Sequence, residues 1–234
     1  MDSPRGKALE ILRSVENGVF ADTLLEPARQ ALDSRDSAFL LELVYGVLRN
    51  RLRLDWTLDL FSAQPVEKTD AVTRNILRLG AYQLLFMDRV PPSAAVNTSV
   101  ELVKASSGKR GYVNGLLRNL ERKRGAIAFP DAGDHVLRLS ILYSHPEWLV
   151  RRWTERFGND VTEMLLRANN EPAPVVLRVN TLKSTREELK AGLCRAGARV
   201  AETVYSPVGL GVASSPGIRA LPGYEQGMFM VQDE

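Results

Sequence analysis

Between Asn75 and Phe86 the chain sets Ile76, Leu77, Leu79, Leu84, Leu85 and Phe86 around most sides of one helix. So wide an apolar arc predicts a helix at the centre of a bundle, covered by others. Gly80 within it costs ~1 kcal/mol relative to alanine, so its presence predicts close approach of a neighbouring helix. Val90-Pro91-Pro92 ends the run, because proline has no N–H to donate and clashes with the preceding turn. Ser93 is then expected as the N-cap of a helix over 94–106, striped by Val96, Val100 and Val103 at i, i+4, i+7. A third helix carries Tyr112, Val113, Leu116, Leu117 and Leu120.

The preceding residues repeat the pattern. A helix over 4–16 turns Ala8, Leu9, Leu12 and Val15 inward and Arg5, Lys7 and Arg13 outward, and ends at Gly18. Phe20, Leu24 and Leu25 predict a short docked segment, with a further turn over 27–32. Ser34 is expected to cap a helix through Val47 carrying Phe39, Leu40, Leu43 and Val44, and another helix follows over 52–61. Arg49, Arg51 and Arg53 fall on different faces of a continuous helix, so a shared ligand surface requires a break near Asn50. The first 125 residues read as all-α.

After a linker at Phe129 to Gly133 comes more helix. Ser144-His145-Pro146-Glu147 predicts a capping box with proline in the first turn, opening a helix that carries Trp148, Leu149, Trp153 and Phe157. Gly158-Asn159 interrupts it, and helix resumes over 161–168. From Pro172 the period changes. The β-branched run over 175–180 reads as a strand, Thr185 and Glu188 predict a second capping box for a helix ending at Gly197, and 199–204 and 208–212 read as antiparallel strands. Met228 to Val231 is a further apolar run that needs a strand neighbour. The fold class expected is mainly α: an all-helical bundle over 1–130, a helical linker over 131–171 and a small α+β domain with a short antiparallel sheet over 172–234.

Composition adds limits. With 234 residues, 44% hydrophobic and 25% charged, the chain has ample material for one large or two small domains of ordinary globular composition. Its one cysteine, Cys194, excludes an intramolecular disulfide and a multi-cysteine zinc site, and points to a reducing cytoplasm. No apolar run approaches the ~18 residues of a membrane helix, so no membrane partner is expected. Net charge is only +3, but its distribution is uneven. Between 104 and 124, Lys104, Lys109, Arg110, Arg118, Arg122, Lys123 and Arg124 face a single acid, Glu121, which points to a polyanionic partner.

Catalytic signatures are scarce. Gly209-Leu-Gly211 lacks the third glycine and following helix of a nucleotide loop and reads better as strand. Cys194 reads as a buried structural thiol, since no histidine or second cysteine is near it in sequence. His145 reads as a helix-start residue and Glu187-Glu188 as first-turn acids favoured by the helix dipole. No metal site or cofactor is expected in the chain. The basic loop Ser106-Ser107-Gly108-Lys109-Arg110-Gly111, leading into a helix N-terminus, suits a phosphate. Arg118, Arg122 and Lys123, near one face at i, i+4, i+5, would extend that surface, against the alternative of a solvated charged face. Tyr112 reads as core packing rather than base stacking.

Ile76-Leu-Arg-Leu-Gly-Ala-Tyr-Gln-Leu-Leu, Val90-Pro-Pro-Ser-Ala-Ala-Val-Asn-Thr-Ser-Val-Glu-Leu-Val-Lys and Tyr112-Val-Asn-Gly-Leu-Leu-Arg together resemble the NusB family over residues 1–130. That resemblance implies an all-helical RNA-binding fold. It makes Gly80, Pro91, Asn97, Glu101, Asn114 and Gly115 fold-bearing positions, and puts Arg5 and Lys7 on the side where RNA is bound. It also permits docking of a ribosomal protein. Tyr143-Ser-His-Pro-Glu-Trp-Leu, Asn169-Asn-Glu-Pro, Leu177-Arg-Val-Asn-Thr-Leu-Lys and Val231-Gln-Asp-Glu are similar to the RsmB/Sun/Fmu family of small-subunit (16S) rRNA cytosine-5 methyltransferases. In that family a Rossmann-like domain follows, binding S-adenosylmethionine and carrying two catalytic cysteines. The resemblance therefore implies a non-catalytic N-terminal portion whose partners are rRNA and the missing catalytic domain. Arg49 and Arg51 join Arg5, Lys7, Lys109, Arg110, Arg118, Arg122 and Lys123 as expected RNA contacts. Arg178, Asn180 and Lys183, from the Arg-Val-Asn-Thr-Leu-Lys motif, face either RNA or that following domain.

Overall fold

Asp70 opens the central helix: its carboxylate accepts a hydrogen bond from Thr73 N at 3.0 Å, and α5 (Ala71–Phe86) then runs without interruption. The computed structural model describes residues 3–104, 108–130, 133–214 and 218–233. Around α5 pack α1 (Pro4–Glu16), α3 (Ser34–Arg49), α4 (Arg51–Asp59), α6 (Pro92–Leu102) and α7 (Arg110–Lys123), with α2 (Ala21–Gln30) against α1 and α3. The apolar arc accounts for this. Ile76, Leu77, Leu79 and Ala81 are at most 1% exposed, and each leucine-sized side chain so buried contributes ~1.5–3 kcal/mol.

Gly80 does admit a close neighbour. A Cβ there would lie 2.5 Å from Leu117 Cδ1 on α7 and 2.9 Å from Ser99 Oγ on α6. Polar groups buried on α5 are satisfied: Asn75 donates to Ala71 O and Gln83 to Leu79 O, both at 2.9 Å.

Several boundaries differ from those the sequence suggests. Asp33, rather than Ser34, caps α3, accepting from Asp36 N at 2.8 Å. Helix α6 starts at Pro92, two residues before the expected 94, because proline's fixed φ suits the first helical position and its missing N–H is lost there at no cost. It ends at Leu102, where Val103 turns extended, short of 106, which lies outside the described residues. The Ser144 capping box does not form. Ser144 adopts a left-handed conformation (φ 58°) that closes α8 (His135–Tyr143), and its Oγ accepts from Leu52 N at 2.9 Å instead. Pro146 precedes α9 (Glu147–Phe157) without a side-chain cap.

Residues 131–171, read above as a helical linker, carry α8, α9 and α10 (Asn159–Asn170) around Leu139, Val150 and Leu166. Helix α8 packs against α4. The chain divides into two compact units, Met1–Asn170 and Glu171–Glu234.

The second unit is a four-stranded antiparallel sheet in the order β2-β3-β1-β4, formed by β1 (Val175–Val179), β2 (Arg199–Glu202), β3 (Gly209–Ser214) and β4 (Phe229–Val231). Leu177, Val179, Leu210 and Phe229 bury one face beneath Leu189 and Leu193 of α11 (Arg186–Arg195). The expected capping box of α11 is present: Thr185 Oγ1 accepts from Glu188 N at 3.2 Å while the Glu188 carboxylate accepts from Thr185 N at 2.9 Å. Cys194 is a correction. It is exposed, because Leu189 and Leu193 take the inward stripe of α11 and residue 194 falls outside it.

Candidate nucleic-acid interface

The expected basic residues of the helical unit fall at two ends of the bundle. One end is built from the start of α1, the α3–α4 junction and the final turns of α5 and α7. Arg5 Nε donates to Gln83 Oε1 on α5 at 2.8 Å and lies 4.7 Å above the Phe39 ring on α3. Arg53 on α4 is held between the rings of Phe86, at 5.0 Å, and Phe129, at 5.2 Å. Arg124, just after α7, donates to Leu84 O at 3.4 Å. These contacts bring the starts of α1 and α4 and the end of α7 to one level of α5.

Asn50 supplies the break that a shared surface needs. It closes α3 and precedes α4, donating to Gly46 O at 2.9 Å, so that Arg49 and Arg51 are both exposed rather than one being turned inward. Arg122 and Lys123 are exposed in the last turn of α7, where cations are favoured by the helix dipole. Arg118 is exposed one turn earlier and lies 3.6 Å from Glu121, a pair of small energetic value at an exposed site. Arg5 and Lys7 are half-buried. Burial pulls the Arg5 guanidinium below its usual pKa, with Asp36 and Glu101 opposing, and burial does the same to Arg53. Both arginines pack on aromatic rings of the fold.

Lys109 and Arg110 lie at the other end. Helix α7 separates Lys109 from Arg122 by about 20 Å at 1.5 Å per residue. The basic stretch over 104–124 is therefore not one patch. Lys109 Nζ donates to Asp70, the cap of α5, and Arg110 Nε donates to Val103 O at 3.0 Å. Burial works to raise the Asp70 carboxyl, but hydrogen bonds from Lys109 and Thr73 outweigh it and hold it well below the usual carboxylate range. The two cations thus fasten the start of α7 to α5 and α6. Ser106 and Ser107 of the expected phosphate loop lie outside the described residues.

In the second unit, Asn180 and Lys183 hold the turn before β4: Asn180 Nδ2 donates to Gly227 O at 2.9 Å and Lys183 Nζ to Gln226 O at 2.6 Å. Arg178 is exposed on β1 and donates to Gln232 Oε1 at 3.3 Å. Two of these three motif residues are therefore tied up in the fold.

Sequence reading missed the strongest polar cluster. Arg78 of α5 donates to Glu16 at 2.6 Å and to both oxygens of Asp55 at 2.7 Å, while Arg74 donates to Glu16 at 3.0 Å. Only the i, i+4 spacing of Arg74 and Arg78 on a largely apolar helix hinted at it. Tyr112 packs on the core and shares a 3.0 Å hydrogen bond with Ser62.

The resemblance puts S-adenosylmethionine on the Rossmann-like domain that follows in that family, and the glycine pair weighed above as a nucleotide loop does not form one. Gly209 and Gly211 lie inside antiparallel β3, and the space a Gly209 side chain would need is filled by Thr203 Oγ1, 2.1 Å from such a Cβ. A strand interior of this kind offers no backbone cradle at a helix start. Among the described residues no group of three or more His, Cys, Asp or Glu could hold a metal, and no helix is long and apolar enough to cross a membrane.

Comparison with known proteins places this geometry. The model of the NusB family matches residues 2–122, and that of the RsmF/B-like methyltransferase ferredoxin-like domain matches residues 145–219. The probable ribosomal RNA small subunit methyltransferase B of Synechocystis is 34% identical, covering 100% of this chain and 53% of the relative. That of Bacillus subtilis is 32% identical over 99% and 52% respectively. The ribosomal RNA small subunit methyltransferase B of Escherichia coli O1:K1 is 32% identical over 97% and 52%. The chain spans about half the length of these curated relatives. The crystal structure of PH0851, 21% identical, shares the fold with a TM-score of 0.70 over 99% of this chain and 53% of that one. The chain belongs to the NusB family, its helical domain being followed by an RsmF/B-type ferredoxin-like domain.

Proposed function

We propose that these residues form the RNA-recognition portion of an S-adenosylmethionine-dependent small-subunit rRNA cytosine-5 methyltransferase, with methyl transfer performed by a catalytic domain outside them. The observation that carries this reading is the exposure of Arg49, Arg51, Arg122 and Lys123 in a NusB-family bundle whose Arg53 and Arg124, next to them in sequence, both pack at the last turn of α5. The relatives' names supply the substrate class. In this reading residues 1–130 grip the RNA through its phosphates, 131–171 connect, and 172–234 lead to the catalytic domain, in the cytoplasm. Phosphate contacts fix register and supply affinity, while the catalytic domain selects the base.

The test is binding of a labelled small-subunit rRNA fragment followed by anisotropy as salt is raised. Affinity falling linearly on a log–log plot supports the reading, since each neutralised phosphate releases counterions. Absence of RNA affinity, with capture of a ribosomal protein after nuclease treatment, would replace it by a protein-docking role.

A further inference from the structure

A cleft of about 660 Å³ opens in the helical unit beside the basic end, between α4 and the α8–α9 turn. Two of the chain's three tryptophans line it, Trp56 and Trp148, with Leu52 and Ile141 as its apolar floor and Arg51 and Glu147 among its polar residues. Trp148 is 65% exposed at the start of α9, an unusual position for so large an apolar ring. Trp56 is anchored, donating from its indole N–H to Ala128 O at 3.2 Å. Most polar groups around the cleft are already engaged. Asp59 accepts from Val66 N at 2.6 Å, Ser144 Oγ accepts from Leu52 N, and Ser140 Oγ donates to His145 O at 2.6 Å. The side chains of Arg51 and Glu147 make no hydrogen bond or ion pair among the described residues. One turn beyond Trp148, Arg151 and Arg152 are exposed on α9.

We propose that this cleft takes one unpaired nucleotide of the RNA, its base stacked on Trp148 and its phosphate held by Arg51. The inference rests on the RNA-binding reading above and deepens it by assigning a site for a flipped-out or single-stranded base. Three features select a nucleotide over an apolar peptide. An exposed indole offers a flat stacking face that any base can use. Arg51 lines the cleft beside the acids Asp59 and Glu147, and Arg151 and Arg152 are exposed one turn along α9 from Trp148, which offers cations to the phosphodiester of a base held there. Glu147 supplies an acceptor for an amino group on the base edge, as a carboxylate does for the amino group of cytosine. The volume is ample for one base and sugar, and Arg51, which follows the Asn50 break, lines the cleft itself.

The experiment uses the whole chain in two arms. In the first, the three tryptophan indole N–H signals are followed by NMR while 5′-cytidine and 5′-guanosine monophosphates are added. The Trp148 signal is expected to move and Trp153 to stay, with Arg51→Ala weakening the monophosphate but not the free nucleoside. In the second, anisotropy compares a single-stranded RNA with the same sequence as a duplex. Trp148→Ala is expected to cost the single strand about 5- to 150-fold and the duplex little, from ~1–3 kcal/mol per stacked base at 1.4 kcal/mol per decade. Trp148→Phe should restore most of it. No movement of Trp148 with either nucleotide, or equal losses on single strand and duplex, overturns the cleft while leaving salt-dependent RNA binding intact. Movement with nucleotides in a chain that binds no rRNA keeps the cleft and removes the wider reading.

Discussion

Arg78 and Asp55 face each other through two parallel hydrogen bonds of 2.7 Å, and the same guanidinium reaches Glu16 at 2.6 Å. Helices α1, α4 and α5 are thereby joined at one point by a buried cation shared between two acids. Removing one partner of a buried pair is costly because the others remain desolvated. Arg78→Met is expected to destabilise the helical unit by about 3–5 kcal/mol, measured as a shift in the urea midpoint. A triple variant that also carries Glu16→Gln and Asp55→Asn should recover part of that loss.

The same network sets the response to acid. Burial works to raise the Glu16 carboxyl, but hydrogen bonds from Arg74 and Arg78 outweigh it and lower its pKa, and Asp70 is lowered likewise. A carboxyl lowered in the folded state adds stability that is complete above its unfolded pKa of about 4 and fades as pH falls through that value towards the folded one. Stability should therefore be flat near neutrality and decline below about pH 4. Glu16→Gln should shallow that decline in a urea titration; an unchanged acid limb would remove Glu16 from the account.

Gly46 marks the tightest approach to α5. A Cβ there would lie 2.0 Å from Tyr82 Cζ, on a ring that stacks with Phe86 at 5.2 Å and donates its hydroxyl to Glu42. The ring cannot move aside without leaving both partners. Gly46→Ala is expected to cost about 1–3 kcal/mol by overpacking, despite alanine's better helix propensity, and a lowered thermal midpoint checks it.

Much of the fold was legible because it rests on periodicity. The apolar arc of α5, the Gly80 approach and the Thr185–Glu188 box follow from side-chain spacing alone. Ser144 shows where local reading fails: its sequence context fits a capping box, but a long-range bond to Leu52 and the left-handed turn win. Cys194 was misplaced because one residue of rotation on a short amphipathic helix decides burial. The candidate interface was legible only in composition. A run of seven cations over 104–124 reads as one patch, whereas a straight helix of fourteen residues carries its two ends apart and Asp70 engages Lys109 at the far one. Arg49 and Arg51 were usable only once Asn50 broke the helix between them, and the sequence stated that condition without meeting it.

The central claim is that the end of the bundle carrying Arg51, Arg122 and Lys123 holds RNA phosphates, and that the end carrying Lys109 and Arg110 does not. The direct measurement is the slope of log affinity against log salt for an rRNA fragment, compared between two variants. Arg51→Ala/Arg122→Ala/Lys123→Ala is predicted to reduce the slope by about 2–3, at ~0.7–0.9 per phosphate contact, and Lys109→Ala/Arg110→Ala to leave it within error of the parent. An unchanged slope in the triple variant, or an equal loss in the Lys109/Arg110 variant, would contradict it.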